Sequence, residues 1–375
     1  MKIRKIASAL TAILFSAVLL LGCVLTLALP KKTVSASERC TLAKLPAFTA
    51  ETVWSGKWFS EISDYLTDHF ALREGLRAVN AAARLHVLQQ PDVGGVFEEN
   101  GYLLKPAWPM DEKAIADNAD KLQRIVEERF AGKPVYWSLI PDKADYVSHS
   151  APALDTETVR EMVASRLDAE YIDITGTLTL TDYYRTDTHW QQDKLEDTAA
   201  ALVSGMGGTL APSEFTWKTK DGPFHGVLEG QYALKPETGD VLCWGVNEAT
   251  ENCTVRYTDH PEWTGVYIQN ENSLDGYDLF LGGAQSVIEI TNENAATDQH
   301  LILFRDSFGS SLAPWLLTTY EKITIIDIRY AVSGDLRGDE NMAAYDLSRY
   351  ADLDSADLVL FLYSTSILNT GGILK

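Results

Sequence analysis

Two short segments hold the residue types of an acyl-transfer centre: Tyr183-Tyr184-Arg185-Thr186-Asp187-Thr188-His189-Trp190 and, more than a hundred residues later, Leu301-Ile302-Leu303-Phe304-Arg305-Asp306-Ser307-Phe308-Gly309. Together they supply a carboxylate, an imidazole and a hydroxyl, the three groups that activate a serine as a nucleophile. In an extended stretch, side chains two apart point the same way. Asp187 and His189 can therefore face one cleft, where the carboxylate orients the ring and stabilises the imidazolium formed when it takes a proton. Ser307 closes an apolar run that reads as a buried strand and precedes a predicted helix from Gly309 to Leu317. A serine at that junction is exposed at the carboxyl end of a strand, beside backbone N–H groups that can hold an oxyanion. Each segment alone also has an ordinary reading. Asp-x-His occurs in metal sites and common loops, and an Asp-Ser helix start caps the helix.

The surrounding elements alternate. Asp111 to Phe130 is predicted as a helix, Val135 to Ile140 as a buried strand, Thr156 to Leu167 as a helix, Tyr171 to Ile174 as a strand and Trp190 to Val203 as a helix, with a short hairpin from Gly94 to Leu104 before them. Buried strands return at Leu301 to Phe304, Ile323 to Ile328 and Leu358 to Leu362. This order predicts a mostly parallel sheet with helices on both faces, and such sheets bind ligands at the carboxyl ends of their strands. Between about 209 and 298 the pattern shifts to short alternating segments split by Gly, Asn and Pro, such as Thr254-Val255-Arg256-Tyr257, which reads as an inserted antiparallel β subdomain. From Val53 to Leu88, Trp54, Trp58, Phe59, Ile62, Tyr65, Leu66, Phe70 and Leu72 recur at helical spacing, predicting an amphipathic helix packed on the domain.

The amino terminus sets the compartment. Lys2, Arg4 and Lys5 precede an uncharged stretch from Ile6 to Leu29, long enough to cross about 30 Å of hydrocarbon as a helix. Its cationic flank stays inside, so residues from Pro30 onward are placed outside. Residues 1–36 are read as an uncleaved anchor. A cleaved signal peptide ending at Val34-Ser35-Ala36 and a lipid-modified start at Leu20-Leu21-Gly22-Cys23 are rivals, and all three readings export the domain. Residues 37–52 read as a linker and 53–375 as the domain. At 375 residues, 46% hydrophobic, the chain can bury a sizeable core. A formal net charge of −21 disfavours nucleic acid and other anionic polymers as partners, because their charges would be repelled. Of four cysteines, Cys243 and Cys253 flank a turn-rich segment and fit either a small disulfide-closed loop, worth about 2–3 kcal/mol, or a reduced pair. No spacing suggests a metal, and no cofactor is expected.

Further marks occur in a fixed order: Asp68-His69-Phe70-Ala71-Leu72-Arg73, Gly101-Tyr102-Leu103-Leu104, Ile140-Pro141-Asp142-Lys143-Ala144-Asp145, Arg185 to Trp190, Phe280-Leu281-Gly282-Gly283, Arg305-Asp306-Ser307-Phe308, Ile326 to Tyr330 and Asp357 to Phe361. With these the chain resembles the DHHW proteins and, more broadly, the SGNH-hydrolase-like domain of the alginate O-acetylation proteins, over about residues 56 to 370. The resemblance implies Ser307 as nucleophile, His189 as general base and Asp187 as its partner. Two departures stand out. The eponymous Asp-His-His-Trp is Asp-Thr-His-Trp here, with Thr188 in the middle, and Ala284-Gln285 follows the double glycine where an Asn is expected.

Other residues carry two readings each. Gly282 and Gly283 can present N–H groups to an oxyanion or simply turn the chain. Arg185 and Tyr183 share a side with Asp187 and His189 if the stretch is extended, and so can contact an acyl oxygen or a sugar. Lys143 either places a charge near the site or braces a loop. His225 either lines the cleft or is structural or exposed. Trp217, Trp244 and Trp263 stack on sugar rings or pack a small β layer. The expectation is an extracytoplasmic, membrane-tethered O-acetyltransferase of a cell-surface polysaccharide, supplied, by resemblance, by a membrane-bound O-acyltransferase. A carbohydrate acetylesterase and a non-catalytic polysaccharide-binding scaffold are the alternatives.

Overall fold

The computed structural model describes residues 2–35, 37–147, 152–235, 239–331 and 351–374. Ala36, the last residue of the candidate signal-peptidase site, lies outside them. The chain divides into two compact units, residues 1–94 with 229–235, and residues 95–228 with 236–375.

In the second unit strands are ordered β10-β11-β13-β12-β14-β6-β7. They are β6 (Val135–Ile140), β7 (Glu170–Tyr171), β10 (Thr254–Tyr257), β11 (Val287–Thr291), β12 (Thr297–Arg305), β13 (Tyr320–Ile326) and β14 (Leu358–Ser364). From β13 through β12, β14 and β6 to β7 every pairing is parallel, and β10 and β11 add an antiparallel edge. Alternation along the central strands assigns each residue to one of two cores. Leu301 and Leu303 of β12, with Leu358, Leu360 and Leu362 of β14, pack on α7 (Glu196–Gly205) and α10 (Gly309–Leu316). Ile302, Phe304, Val359 and Phe361 pack on the opposite face against α5 (Glu112–Arg129) and α6 (Thr156–Ala164). The central strands are apolar on both faces because both faces are covered, the pattern expected of parallel sheets. A hairpin of β4 (Val96–Glu99) and β5 (Tyr102–Leu104) precedes the sheet.

The segment 209–298 is β-rich, as its alternation implied. Among its described residues, β8 (Thr216–Thr219) and β9 (Cys243–Val246) form a separate two-stranded sheet, while β10 and β11 extend the main one. Some expectations need correction. The helix foreseen from Trp190 begins as a tight turn at Gln192–Lys194 before α7, and the strand foreseen through Ile174 ends at Tyr171. Cys243 and Cys253 are free thiols: Cys243 Sγ meets Asp193 at 3.4 Å and Cys253 Sγ meets the Thr250 carbonyl at 3.7 Å.

In the first unit, helix α1 (Lys2–Ala28) includes a 21-residue apolar run, Ser8–Ala28. The single amphipathic helix foreseen over 53–88 is instead α2 (Ala50–Trp54), α3 (Lys57–Asp68), α4 (Arg73–Ala82) and a π-helical turn (Ala83–Val87). Gly56 at φ +79° and Leu72 at φ +61° break it, because a left-handed residue cannot continue an α-helix. The second correction concerns burial: no residue of α3 is buried, and Trp54 is 89% exposed.

The sheet's middle strand sets the stability of the second unit. Leu303→Ala, at a fully buried position, should cost about 2–5 kcal/mol, read as a lowered urea midpoint with unchanged slope.

Candidate active site

Three neighbouring parallel strands, β12, β14 and β6, end on the same side of the sheet, and the site is built from the segments just beyond those ends. After β12 comes Asp306-Ser307, after β14 comes the short helix α11 (Thr365–Leu368), and after β6 comes Pro141-Asp142-Lys143. Asp306 ties two of these ends together. Its Oδ1 accepts from Phe308 N at 3.0 Å and its Oδ2 from Ser364 N at 2.8 Å, which fixes the backbone on either side of Ser307. Behind it, buried Arg305 faces Asp327 at 3.4 Å, and Arg329 also grips Asp327. Burial pulls the Arg305 pKa down, and Asp327 opposes that pull.

The segment 183–190 is a closed loop rather than an extended stretch. Tyr183 and Trp190 bridge its ends, and Tyr184 N donates to the His189 carbonyl at 3.0 Å. Asp187 and His189 therefore meet through a tight turn, in which Asp187 Oδ1 accepts from His189 N at 3.2 Å and contacts His189 Nδ1 at 2.6 Å. His189 Nε2 lies 2.7 Å from Ser307 Oγ, across 118 residues of chain. The carboxylate is fully buried and its second oxygen accepts from Val227 N at 2.8 Å. Gly226 allows that approach, because a Cβ there would lie 2.1 Å from the Thr186 carbonyl. Asp187, His189 and Ser307 thus form the continuous carboxylate–imidazole–hydroxyl line that nucleophilic catalysis requires.

The imidazole is held by aromatic rings. It stacks on Tyr277, ring centroids 3.8 Å apart and planes 9° apart, and Phe308 closes at 4.8 Å. The Tyr277 hydroxyl is fixed 2.7 Å from Ser311 Oγ, which also accepts from Trp190 Nε1 at 3.0 Å. Burial raises the Tyr277 pKa, so the ring stays neutral. Beneath the loop, the buried Lys143 Nζ donates to the carbonyls of Asp187 at 2.6 Å, Tyr184 at 3.0 Å and Arg185 at 3.4 Å. Burial pushes its pKa down to about 8, against the opposing pull of Asp187, Asp142 and Asp240. Asp240 holds the loop's other edge, accepting from Arg185 N, Thr186 N and the Thr186 hydroxyl. A cavity of about 140 Å³ opens beside Ser307, lined among others by Lys105, Thr188, Ser364 and Thr365.

The remaining candidates lie elsewhere in the fabric. Gly283 N donates to the Phe280 carbonyl at 3.3 Å, and the Gly283 carbonyl accepts from Arg305 at 3.4 Å. Gly282 and Gly283, at φ +70° and +76°, thus form a turn, with Trp263 and Asp278 where their Cβ atoms would be. Gln285 locks that turn by donating to the Gly282 carbonyl at 3.1 Å. Tyr183 is fully buried and donates to the Pro141 carbonyl, and Arg185 lies over the Tyr102 ring at 5.0 Å. The period of two expected of an extended stretch therefore does not apply to Tyr183 and Arg185, because the loop that carries them is folded. His225 is exposed, Trp263 stacks on His260, and Trp217 packs against Phe215 and Trp315. Sequence reading weighed two roles for Lys143 and missed Tyr277 and Asp240; neither of the missed residues sits in a distinctive motif. No group of three or more metal-ligating side chains occurs among the described residues.

The same architecture occurs in solved proteins. A DHHW family protein from Eubacterium siraeum superposes with a TM-score of 0.58 at 18% identity, over 74% of this chain and 92% of that one. The chain has the DHHW fold. Bacillus cereus PatB1 superposes with a TM-score of 0.56 at 20% identity, over 75% of this chain and 98% of that one, and PatB1 has also been determined with a sulfonyl adduct. A fainter likeness, TM-score 0.43 at 12% identity, is to the O-acetyltransferase domain of Pseudomonas putida AlgJ, over 75% of this chain and 93% of that one. No protein-family model and no curated protein matches the sequence.

The bracing of the site sets two expected outcomes. Tyr277→Phe keeps the stack on His189 and should leave kcat for ester hydrolysis within about twofold, whereas Tyr277→Ala should lower kcat about tenfold or more with little change in KM, as expected when an orienting contact is lost. Lys143 is an ammonium below about pH 8 and loses a donor to the loop above it. The profile of kcat/KM should therefore fall on the alkaline side near that pH, and Lys143→Met, slower throughout, should lack that limb.

Proposed function

We propose that the chain is a serine-dependent O-acetyltransferase of the cell envelope that modifies a surface polysaccharide. The observation that carries this reading is the unbroken line from buried Asp187 through His189 to Ser307 at the mouth of a small cavity. His189 Nε2 takes the Ser307 proton as Oγ attacks the acetyl carbonyl of a donor. Asp187 stabilises the imidazolium, and the Ser307 backbone N–H serves the tetrahedral oxyanion. His189 then returns the proton to the departing donor oxygen, leaving an acetyl-serine. A sugar hydroxyl attacks that ester, gives its proton to His189, and the cycle closes when the proton returns to Ser307 Oγ.

Several features support the finer points. A cavity of about 140 Å³ suits a two-carbon acyl group better than a long chain. The sulfonyl adduct of PatB1, a protein of like fold, accords with an activated nucleophile in this architecture. The apolar run of α1 and its cationic flank accord with a single-pass anchor and an extracytoplasmic site. From the sequence resemblance comes the donor: a membrane-bound O-acyltransferase that passes acetyl groups outward. Transfer to water instead of sugar would use every one of the same residues, so the acceptor alone separates transferase from esterase.

Ser307→Ala should lower acetate release from a chromogenic acetyl ester by about a thousandfold or more with the circular dichroism spectrum unchanged. A sulfonyl fluoride should add its mass at Ser307 in the wild type and not in the variant. Adding surface oligosaccharides with the donor ester should then move acetate onto sugar, detected by mass spectrometry. Acceptors that never gain acetyl, together with acetylated ones that lose it readily, would make the protein an esterase. Undiminished hydrolysis by Ser307→Ala would sink the serine mechanism itself.

A further inference from the structure

The first unit carries an apolar surface that the acyl-transfer chemistry leaves unexplained. On α4 and the π-helical turn beyond it, Leu72, Leu76, Val79 and Val87 are 71%, 49%, 66% and 76% exposed. At about 100° per residue, Leu76 and Val79 fall on one side of α4, while Glu74 and the buried Ala81 fall opposite, and the exposed Leu72 stands at the helix's amino-terminal cap. The polar side is already committed, because Arg73 and Arg77 pair with Glu38. Leu66 of α3 and Phe70 of the α3–α4 turn continue the apolar surface, 48% and 42% exposed.

The same turn grips α1, and the grip fixes its depth. Ala71 N donates to Thr26 Oγ1 at 3.0 Å, and the Phe70 ring lies 3.2 Å from where a Cβ of Gly22 would stand. The apolar run Ser8–Ala28 is 21 residues, roughly 31 Å at helical rise, which matches a hydrocarbon core of about 30 Å. Thr26 and Gly22 therefore sit only about 3 Å and 9 Å inside its outer end. A chain segment touching both lies at the boundary between acyl chains and headgroups.

We infer that the α3–α4 turn and the exposed stripe of α4 rest in the outer leaflet, so that the lipid surface is the partner of this face. The inference depends on reading α1 as a membrane anchor. Burial of apolar surface, not attraction to anionic headgroups, drives the contact, since the chain is strongly acidic and Arg73 and Arg77, on the polar side of α4, are paired with Glu38. The contact should accordingly be insensitive to salt and to anionic lipid.

The test uses the full chain in phosphatidylcholine vesicles. With Cys23→Ala, Cys40→Ser, Cys243→Ser and Cys253→Ser as background, a fluorophore is attached at Val79→Cys or, separately, at Glu74→Cys. A third protein keeps Cys23 as its one labelled cysteine. Lipids bearing a quencher near the headgroup should quench the Val79 label at least about twofold more than the Glu74 label, with no change in 0.5 M salt (about that concentration suffices to screen surface charges). Equal quenching at the two sites, with the Cys23 label quenched by deep-placed groups, would overturn the surface contact and leave the anchor standing. Loss of quenching at Cys23 as well would remove the anchor reading and this inference with it. A Val79 label shielded only after a polytopic membrane protein is added would overturn it in favour of a protein partner.

Discussion

A carboxylate with no exposed surface, Asp187, lies at the centre of the site, and the fold around it supplies the donors that a buried carboxylate needs when ionised. Removing such an ion from water costs several kcal/mol unless donors replace the lost hydration. Asp187 is met by the backbone N–H groups of His189 and Val227, the imidazole Nδ1 and, at 3.5 Å, the Thr188 hydroxyl. The Val227 donor exists only because Gly226 has no side chain to strike the Thr186 carbonyl. The loop that presents Asp187 is held from below by the Lys143 ammonium, itself buried among Asp142, Asp187 and Asp240. An unpaired charge in this cluster would be costly, so each member fixes the position of the others.

The second constraint is the sheet. Parallel pairing of β12 with β14, and of β14 with β6, delivers three chain ends to one edge, and Asp306 joins two of them by hydrogen bonds to Phe308 N and Ser364 N. Ser307 is thus set by the strands rather than by a flexible loop. The aromatic stack of Tyr277 and Phe308 then limits where the His189 ring can turn. This packing sets the Nε2–Oγ distance at 2.7 Å, within the range that a proton transfer between the two groups would need.

Legibility in the sequence followed the range of the interaction. Val135–Ile140 and the helices near Asp111 to Phe130 and Gly309 to Leu317 were readable because apolar period and caps are local signals. Asp111 caps its helix by accepting from Ala114 N, a pairing three residues long. The long helix over 53–88 failed because the spacing of apolar residues says nothing about a left-handed Leu72, nor about whether the apolar side meets protein. The Gly282-Gly283 pair shows the same limit: a double glycine advertises a turn, but how that turn is anchored depends on Phe280 and Arg305.

The sequence by itself determined the chemistry on offer, an Asp-x-His and a strand-terminal serine, together with the alternation of elements that makes a parallel sheet and an apolar amino-terminal helix. Residue type and short spacing carry that information. Tertiary structure alone decided that the two segments meet across 118 residues, that the Asp187 loop is folded rather than extended, and that Lys143, Tyr277 and Asp240 serve it. The physical reason is that desolvating a buried charge demands partners from wherever the fold can supply them, and their distance along the chain is unconstrained.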